Sequence, residues 1–180
     1  MQRCKWCNIN NPLYIKYHDE EWGVLNLNDD YLFEMLILES FQAGLSWECL
    51  LNKRENFKKA YSNFDINKVC DFNEKMVKKL LMNEGIIRNK LKIEASINNA
   101  KIFRDIQNEF GSFKSYLDSF TNGKTFISLN KTTSPLSLSI SKNLMKRGMK
   151  FVGNTIIYSF LQAVGIIYSH EEGCYLFKNE

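Results

Sequence analysis

The strongest constraint on this chain is an apolar run that ends in an acid. From Tyr31 to Leu38 the residues are almost all large and apolar, and the next is Glu39. Such a stretch reads as a largely buried helix, so Glu39 is expected to be partly buried as well, where a carboxylate needs partners or a shifted pKa. Asn28-Asp29-Asp30 supplies capping side chains and first-turn negative charge for a helix from about Tyr31 to Ala43. Gly44 can end that helix in a left-handed conformation, Ser46 can cap the next, and Trp47 then stands on its first turn. Either Glu39 lies at a helix edge in water, or a carboxylate and an indole share one pocket wall.

The rest of the chain reads as helices joined by short turns. A second helix runs from Trp47 to about Tyr61, and Asp65 and Asn73 cap two short pieces, Ile66 to Asp71 and Glu74 to Asn83, the latter stopped by Gly85. A longer helix starts near Asn89 or Lys90 and ends before Gly111, and Ser112 caps another to Phe120. Asn122-Gly123 marks a turn, and Lys124 to Ser137 reads as loop. Leu138 to Arg147 reads as a basic helix closed by Gly148. Asn154 caps an apolar helix, Thr155 to Val164, closed by Gly165. Between Met1 and Gly23 aromatic and polar residues mix without period, which predicts an ordered, irregular arm. No stretch alternates as a strand would. The fold class is all-α, as one domain over 1–180 or two helical lobes sharing a cleft.

Composition narrows the function classes. With 180 residues, 44% hydrophobic and 13% aromatic, the chain can bury a core. No run approaches the about 20 apolar residues that span a bilayer, so no membrane is expected. The N-terminus lacks a signal-peptide core, which points to a cytoplasmic protein. Five cysteines, Cys4, Cys7, Cys49, Cys70 and Cys174, are too few and too odd for a disulfide scaffold and fit reduced thiols or metal ligands. A net charge of +4 permits an anionic partner without establishing one.

Three constellations could carry chemistry. Gly85-Ile86-Ile87-Arg88-Asn89-Lys90 sits between two helices as a tight hairpin. The N–H groups at the start of the second helix, with Arg88, Lys90 and Lys92, could receive a DNA phosphate. A second basic cluster, Lys142, Lys146, Arg147 and Lys150, could flank the same groove. At the termini, Cys4 with His18, or the pair Cys4 and Cys7, could meet His170 and Cys174 in a closed tetrahedral zinc site. Glu39, Trp47 and the aromatics Trp6, Tyr14, Tyr17 and Trp22 could form a pocket for a flipped-out purine, with stacking for affinity and a carboxylate acceptor for choice. Nothing matches a serine elbow, a phosphate loop or a dinucleotide fingerprint.

Several motifs together resemble the bacterial 3-methyladenine DNA glycosylase I family of the helix-hairpin-helix glycosylase superfamily. They are Arg3-Cys4-x-Trp6, the run from Pro12 to Val24, Leu38-Glu39-x-x-Gln42-Ala43-Gly44-Leu45-Ser46-Trp47, Lys53-Arg54-Glu55-Asn56, Gly85-Ile86-Ile87-Arg88, Lys146-Arg147-Gly148-x-Lys150-Phe151-Val152-Gly153 and His170-x3-Cys174. The resemblance implies an all-α fold whose terminal segments are joined by structural zinc on Cys4, His18, His170 and Cys174, with Cys7 at no ligand position. It implies Glu39 as the carboxylate that recognises the base, Trp47 as its stacking partner, and Tyr14, Tyr17, Trp6 and Trp22 as the other pocket aromatics. It also implies DNA contacts at Gly85, Ile86, Ile87, Arg88, Lys90, Lys146 and Arg147, with Leu45 filling the gap left in the duplex. The implied activity is hydrolysis of the N-glycosidic bond of 3-methyladenine in alkylated double-stranded DNA by a monomeric, monofunctional enzyme without a lyase step. This family lacks the aspartate that most of the superfamily uses. Here Asp118-Ser119-Phe120 replaces the usual Trp-Ser-Phe, which puts packing at that point in question and makes Asp118 a substitute candidate.

Overall fold

The structure, a computed structural model, describes residues 1–178. The helix carrying Glu39 is α2, Asp29–Gln42, and every residue from Leu32 to Phe41 is buried. A helix buried all round must be enclosed by neighbours, and this one is. It is followed by α3 (Trp47–Ala60) and packs also on α6 (Lys90–Phe110), α7 (Phe113–Thr121) and α9 (Asn154–Ala163). Phe33 meets Phe103 of α6 at 5.2 Å and Phe41 meets Phe57 of α3 at 4.9 Å, both edge-on, the favoured geometry for aromatic pairs. The remaining helices are α1 (Pro12–Glu20), α4 (Ile66–Cys70), α5 (Glu74–Leu81) and α8 (Pro135–Lys146). The predicted caps act as such: side chains of Asn28, Ser46, Asp65, Asn73, Asn89 and Ser112 each accept a backbone N–H of the first turn they precede.

Five local expectations need correction. The N-terminal arm is not wholly irregular, because Pro12 at the first position and Asn11 as cap start α1, which buries Tyr14, Tyr17 and His18 on one face. Helix α8 begins at Pro135 rather than Leu138, with Ser134 and Ser137 in a reciprocal capping box. Asn154 is the first residue of α9, with Gly153 at its cap, and α5 ends at Leu81 well before Gly85. Lastly, β1 (Phe126–Ile127) and β2 (Ile167–Tyr168) pair in parallel, a strand element too short for alternation to reveal.

A buried ion cluster locks three of these helices. Arg54 of α3 donates from Nε to Glu34 of α2 at 2.6 Å and from Nη1 to Glu21, just past α1, at 2.7 Å. Burial alone would lower the guanidinium's pKa, but the two carboxylates outweigh it and raise it further. Replacing Arg54 with Met keeps bulk but strands two acids, so a loss of about 3–5 kcal/mol is expected. Urea unfolding at neutral pH measures it, and a loss under about 1 kcal/mol would show that the cluster is not a structural lock.

Candidate active site and metal centre

The abrupt end of α2 creates the site. Ala43 leaves helical geometry, Gly44 takes φ +79°, Leu45 projects 39% exposed, and Ser46 caps α3 through the N–H of Cys49. This turn carries Trp47 back towards Glu39. The two line a cavity of about 370 Å³ together with Trp6, Tyr14, Tyr17 and Trp22, so the six predicted pocket residues do converge. Trp6 packs against Tyr14 at 5.5 Å and Trp22 at 4.7 Å, and Tyr17 lies 5.2 Å from Trp47.

Among the described residues, two buried polar atoms at this cavity lack a partner: Oε2 of Glu39 and Nε1 of Trp47. An orphan acceptor and an orphan donor in a recess rich in aromatic rings leave hydrogen-bonding capacity for a flat, polar-edged ligand. Glu39 is only 3% exposed, and burial pushes its carboxyl pKa up to about 8. It is therefore mostly protonated at neutral pH when the pocket is empty. Burial also raises Tyr14, to about 12, and Tyr17, keeping both phenols neutral. Sequence reading missed the polar part of the lining, which includes Gln42, Asn130, Thr132, Ser159 and Gln162. Ser159 and Gln162, three residues apart in the otherwise apolar α9, were the available signal.

Next to the pocket, Cys4, His18, His170 and Cys174 are all buried, with donor atoms within 4.8 Å of one another, an arrangement that could hold a metal ion. Cys4 Sγ lies 3.5 Å from His170 Nδ1, and Cys174 Sγ lies 3.5 Å from His18 Nε2 and 3.6 Å from His170 Nδ1. The outer nitrogens are held too: His18 Nδ1 is 2.7 Å from Asp19, and His170 Nε2 is 3.2 Å from the Trp22 carbonyl. Asp19 in turn accepts from Arg3. Burial drives the His170 pKa down to about 4, leaving the neutral imidazole that metals bind. The alternative C-x2-C set is not the one assembled. Cys7 is turned away, its thiol 3.8 Å from the Tyr14 carbonyl.

The predicted DNA face is only partly available. Between α5 and α6, Gly85 is tightly packed, since a Cβ there would lie 3.0 Å from the Asn56 side chain and push it aside. Ile86 is buried and Ile87 half-buried, anchoring the turn, while Arg88 and Lys90 are exposed beside the capped start of α6. Lys142, Lys146 and Lys150 are exposed. Arg147 is instead engaged by Glu109 at 2.6 and 2.9 Å, with its guanidinium 5.5 Å from Phe110, and Lys92 is buried. Asp118 lies on α7, bound to Lys114 at 2.5 Å, and does not line the pocket.

The structure is thus a mostly helical scaffold with a ring-lined recess that holds a buried acid and lies beside a Cys/His cluster. Comparison with known proteins specifies it. Residues 6–178 match the methyladenine glycosylase family model. The chain is 43% identical to DNA-3-methyladenine glycosylase 1 of Escherichia coli K12, over 97% of this chain and 96% of that protein. A crystal structure of a 3-methyladenine DNA glycosylase I, 43% identical, superposes with a TM-score of 0.93 over 98% of this chain and 100% of that one. A variant of a 3-methyladenine DNA glycosylase I in complex with 3-methyladenine, 31% identical, also reaches 0.93 with both chains fully covered. The chain belongs to the methyladenine glycosylase family, and it is a DNA glycosylase.

The raised Glu39 pKa has a thermodynamic consequence. Between the ordinary glutamate value of 4.5 and about 8, the unfolded chain has lost a proton that the folded protein keeps. The folded state binds more protons, so stability falls as pH rises through that window. Glu39→Gln should abolish the decline and, near pH 8, be more stable by up to about 4 kcal/mol. Melting temperatures of both proteins from pH 5 to 8 check this. Parallel curves would mean that Glu39 is not a buried, partnerless acid.

Proposed function

We propose that this protein removes 3-methyladenine from alkylated double-stranded DNA by hydrolysing its N-glycosidic bond. The observation that carries the reading is the pair of orphan atoms, Glu39 Oε2 and Trp47 Nε1, inside a pocket walled by aromatic rings. A purine extruded from the duplex offers faces to Trp47 and the tyrosines, and amino hydrogens to Glu39. N3-methylation makes the base cationic. The cation restores the Glu39 carboxylate by opposing the burial that protonates it, so recognition and charge compensation are one event. Such a base leaves readily without being protonated. Water bonds to C1′ as the C–N bond breaks, the electron pair stays with the departing base, and the water proton goes to solvent. Glu39 is then the catalytic group that contacts the base, and Trp47, Tyr17, Tyr14, Trp6 and Trp22 bind it.

The hairpin Gly85, Ile86, Ile87, Arg88 and Lys90 forms the helix-hairpin-helix element that grips phosphate, supported by Lys146, while Leu45 fills the vacated stack. Lys146 stands exposed, whereas Arg147 would exchange its surface pair with Glu109 for a phosphate. The enzyme is a monofunctional, monomeric, cytoplasmic glycosylase in a single domain. In keeping with the cytoplasm, the cysteines are free, and no helix among the described residues is long and apolar enough to cross a membrane.

The metal is structural zinc on Cys4, His18, His170 and Cys174. With Zn–S about 2.3 Å and Zn–N about 2.0–2.1 Å, a tetrahedral S···N edge is roughly 3.5–3.6 Å. The three S···N separations given above, 3.5, 3.5 and 3.6 Å, fit this closely. Four protein donors leave no position for water, so the ion would staple the termini and take no part in hydrolysis.

The functional reading is tested by chromatography of bases released from methylated duplex DNA. Wild type should release 3-methyladenine, with no covalent adduct trapped by borohydride. Glu39→Gln should slow single-turnover release by roughly 10- to 100-fold, the worth of a charge-assisted hydrogen bond, while duplex binding holds. Full activity in the Gln variant would sink the recognition role. For the metal, one tightly held zinc per chain is expected, lost in Cys174→Ser with a lowered melting temperature and kept in Cys7→Ser. A zinc-free, fully stable wild type would end that assignment.

A further inference from the structure

Lys92 is the basic residue that the DNA-facing hairpin does not offer to solvent. It stands at the third position of α6, directly after the hairpin, and is 8% exposed. Its Nζ donates to the carbonyl oxygens of Phe41 at 2.8 Å and Ala43 at 2.5 Å, the last groups of α2 before Gly44 and Leu45. No carboxylate pairs with it among the described residues. A cation in the first turn of α6 opposes that helix's own dipole, and the first turn holds no acid to offset it. The same charge is favourable at the C-terminal end of α2. The placement thus serves the junction between the two helices and not α6 itself.

The junction is also covered. The ring of Phe151 lies 5.9 Å from Lys92 Nζ, and Phe151 is held at φ +54°, a conformation that bulky residues rarely adopt. The fully buried Asn99 enforces it. Its side chain accepts from Lys150 N at 2.9 Å and donates to Lys150 O at 2.8 Å, fixing the backbone directly before Phe151. Burial lowers the Lys92 pKa, in keeping with an ammonium held away from water.

We infer that Lys92 is a positioning residue for base extrusion, joining the hairpin that seats on phosphate to the Leu45 turn that enters the stack. Its two hydrogen bonds set the direction in which the chain leaves α2. When the hairpin docks on the strand, Leu45 is delivered at a fixed depth, and a free ammonium in place of this junction would add one more phosphate contact but leave the turn unanchored. The inference rests on the base-extruding function proposed above.

The test uses Lys92→Met and, because a buried change can impair folding, Lys92→Gln beside it. Three quantities are measured: single-turnover release of 3-methyladenine from methylated duplex DNA, binding of undamaged duplex, and binding of free 3-methyladenine to the pocket. Lys92→Met should lose about 10- to 100-fold in release, as misplacement of a positioning element does. Both binding affinities should stay at the wild-type level. Lys92→Arg, which keeps charge and donors, should recover most of the loss. Wild-type release by a folded Met or Gln variant overturns the inference. So does a loss of free-base affinity equal to the loss of release, since Lys92 would then only shape the pocket, and so does failure of both variants to fold. If wild type itself releases no 3-methyladenine, the functional proposal fails separately, before any variant is compared.

Discussion

The convergence of Cys4, His18, His170 and Cys174 is the constraint on which the rest of the site depends. It joins donors from the two ends of the chain, and the pocket rings are packed directly on them. Trp6 lies 5.2 Å from the His18 ring, and Trp22 meets His170 edge-on at 4.7 Å. One wall of the recess, Trp6, Tyr14, Tyr17 and Trp22, comes from the N-terminal segment, and another, Ser169 and Glu171, from the C-terminal one. Both segments pack into the one core, through Cys4, Tyr14, Tyr17 and Trp22 at one end and Ile166, Ile167 and Cys174 at the other. Because the two ends meet at this one buried point, the recess walls they contribute are held against each other.

The opposite wall is rigid for a different reason. Helix α2 is enclosed by its neighbours, so Glu39 is held facing the recess, with no partner for Oε2 among the described residues. The Arg54 cluster fixes the same helix near its middle through Glu34, and Lys92 fixes its end. Glu34 and Glu39 show how the same side chain behaves in two settings. One is buried with an arginine; the other is buried alone, and burial raises its pKa to about 8. The first holds the fold together, while the second destabilises the empty protein above pH 5 and keeps its bonding capacity for a ligand.

Much of this was legible in the sequence because it follows from local rules. The apolar run from Tyr31 to Leu38 read as a largely buried helix, with Glu39 either at its edge or in a pocket wall, and Gly44, Ser46 and Trp47 read as the turn that brings an indole back to Glu39, which is the arrangement found. What escaped reading depends on contacts that spacing does not encode. Helix α1 shows the helical pattern Tyr14, Tyr17, His18, but its short length and aromatic mixture hid the period. Pro135 reads as a loop residue until Ser134 and Ser137 are seen to cap each other around it. Lys92 and Arg147 looked like phosphate contacts because charge is visible in a sequence and its partners are not. The carbonyls of Phe41 and Ala43 lie about 50 residues away in the chain, and Glu109 lies on another helix.

On the proposed function, selectivity arises from the state of Glu39 before the base arrives. In the empty pocket the carboxyl is mostly neutral at pH 7, so an undamaged adenine meets a weak, uncharged partner and gains little over its stack in the duplex. A methylated, cationic base instead favours the charged carboxylate, so Glu39 releases its proton to solvent as the base binds, and the resulting ion pair forms in a recess of low dielectric, where it is stronger than at the surface. The same positive charge weakens the glycosidic bond. Recognition and reactivity are therefore two readings of one property of the damaged base, and an enzyme that senses charge in this way needs no second carboxylate to protonate its leaving group. The half-buried Asp118 on α7, far from being a replacement for one, belongs to a helix surface pair with Lys114.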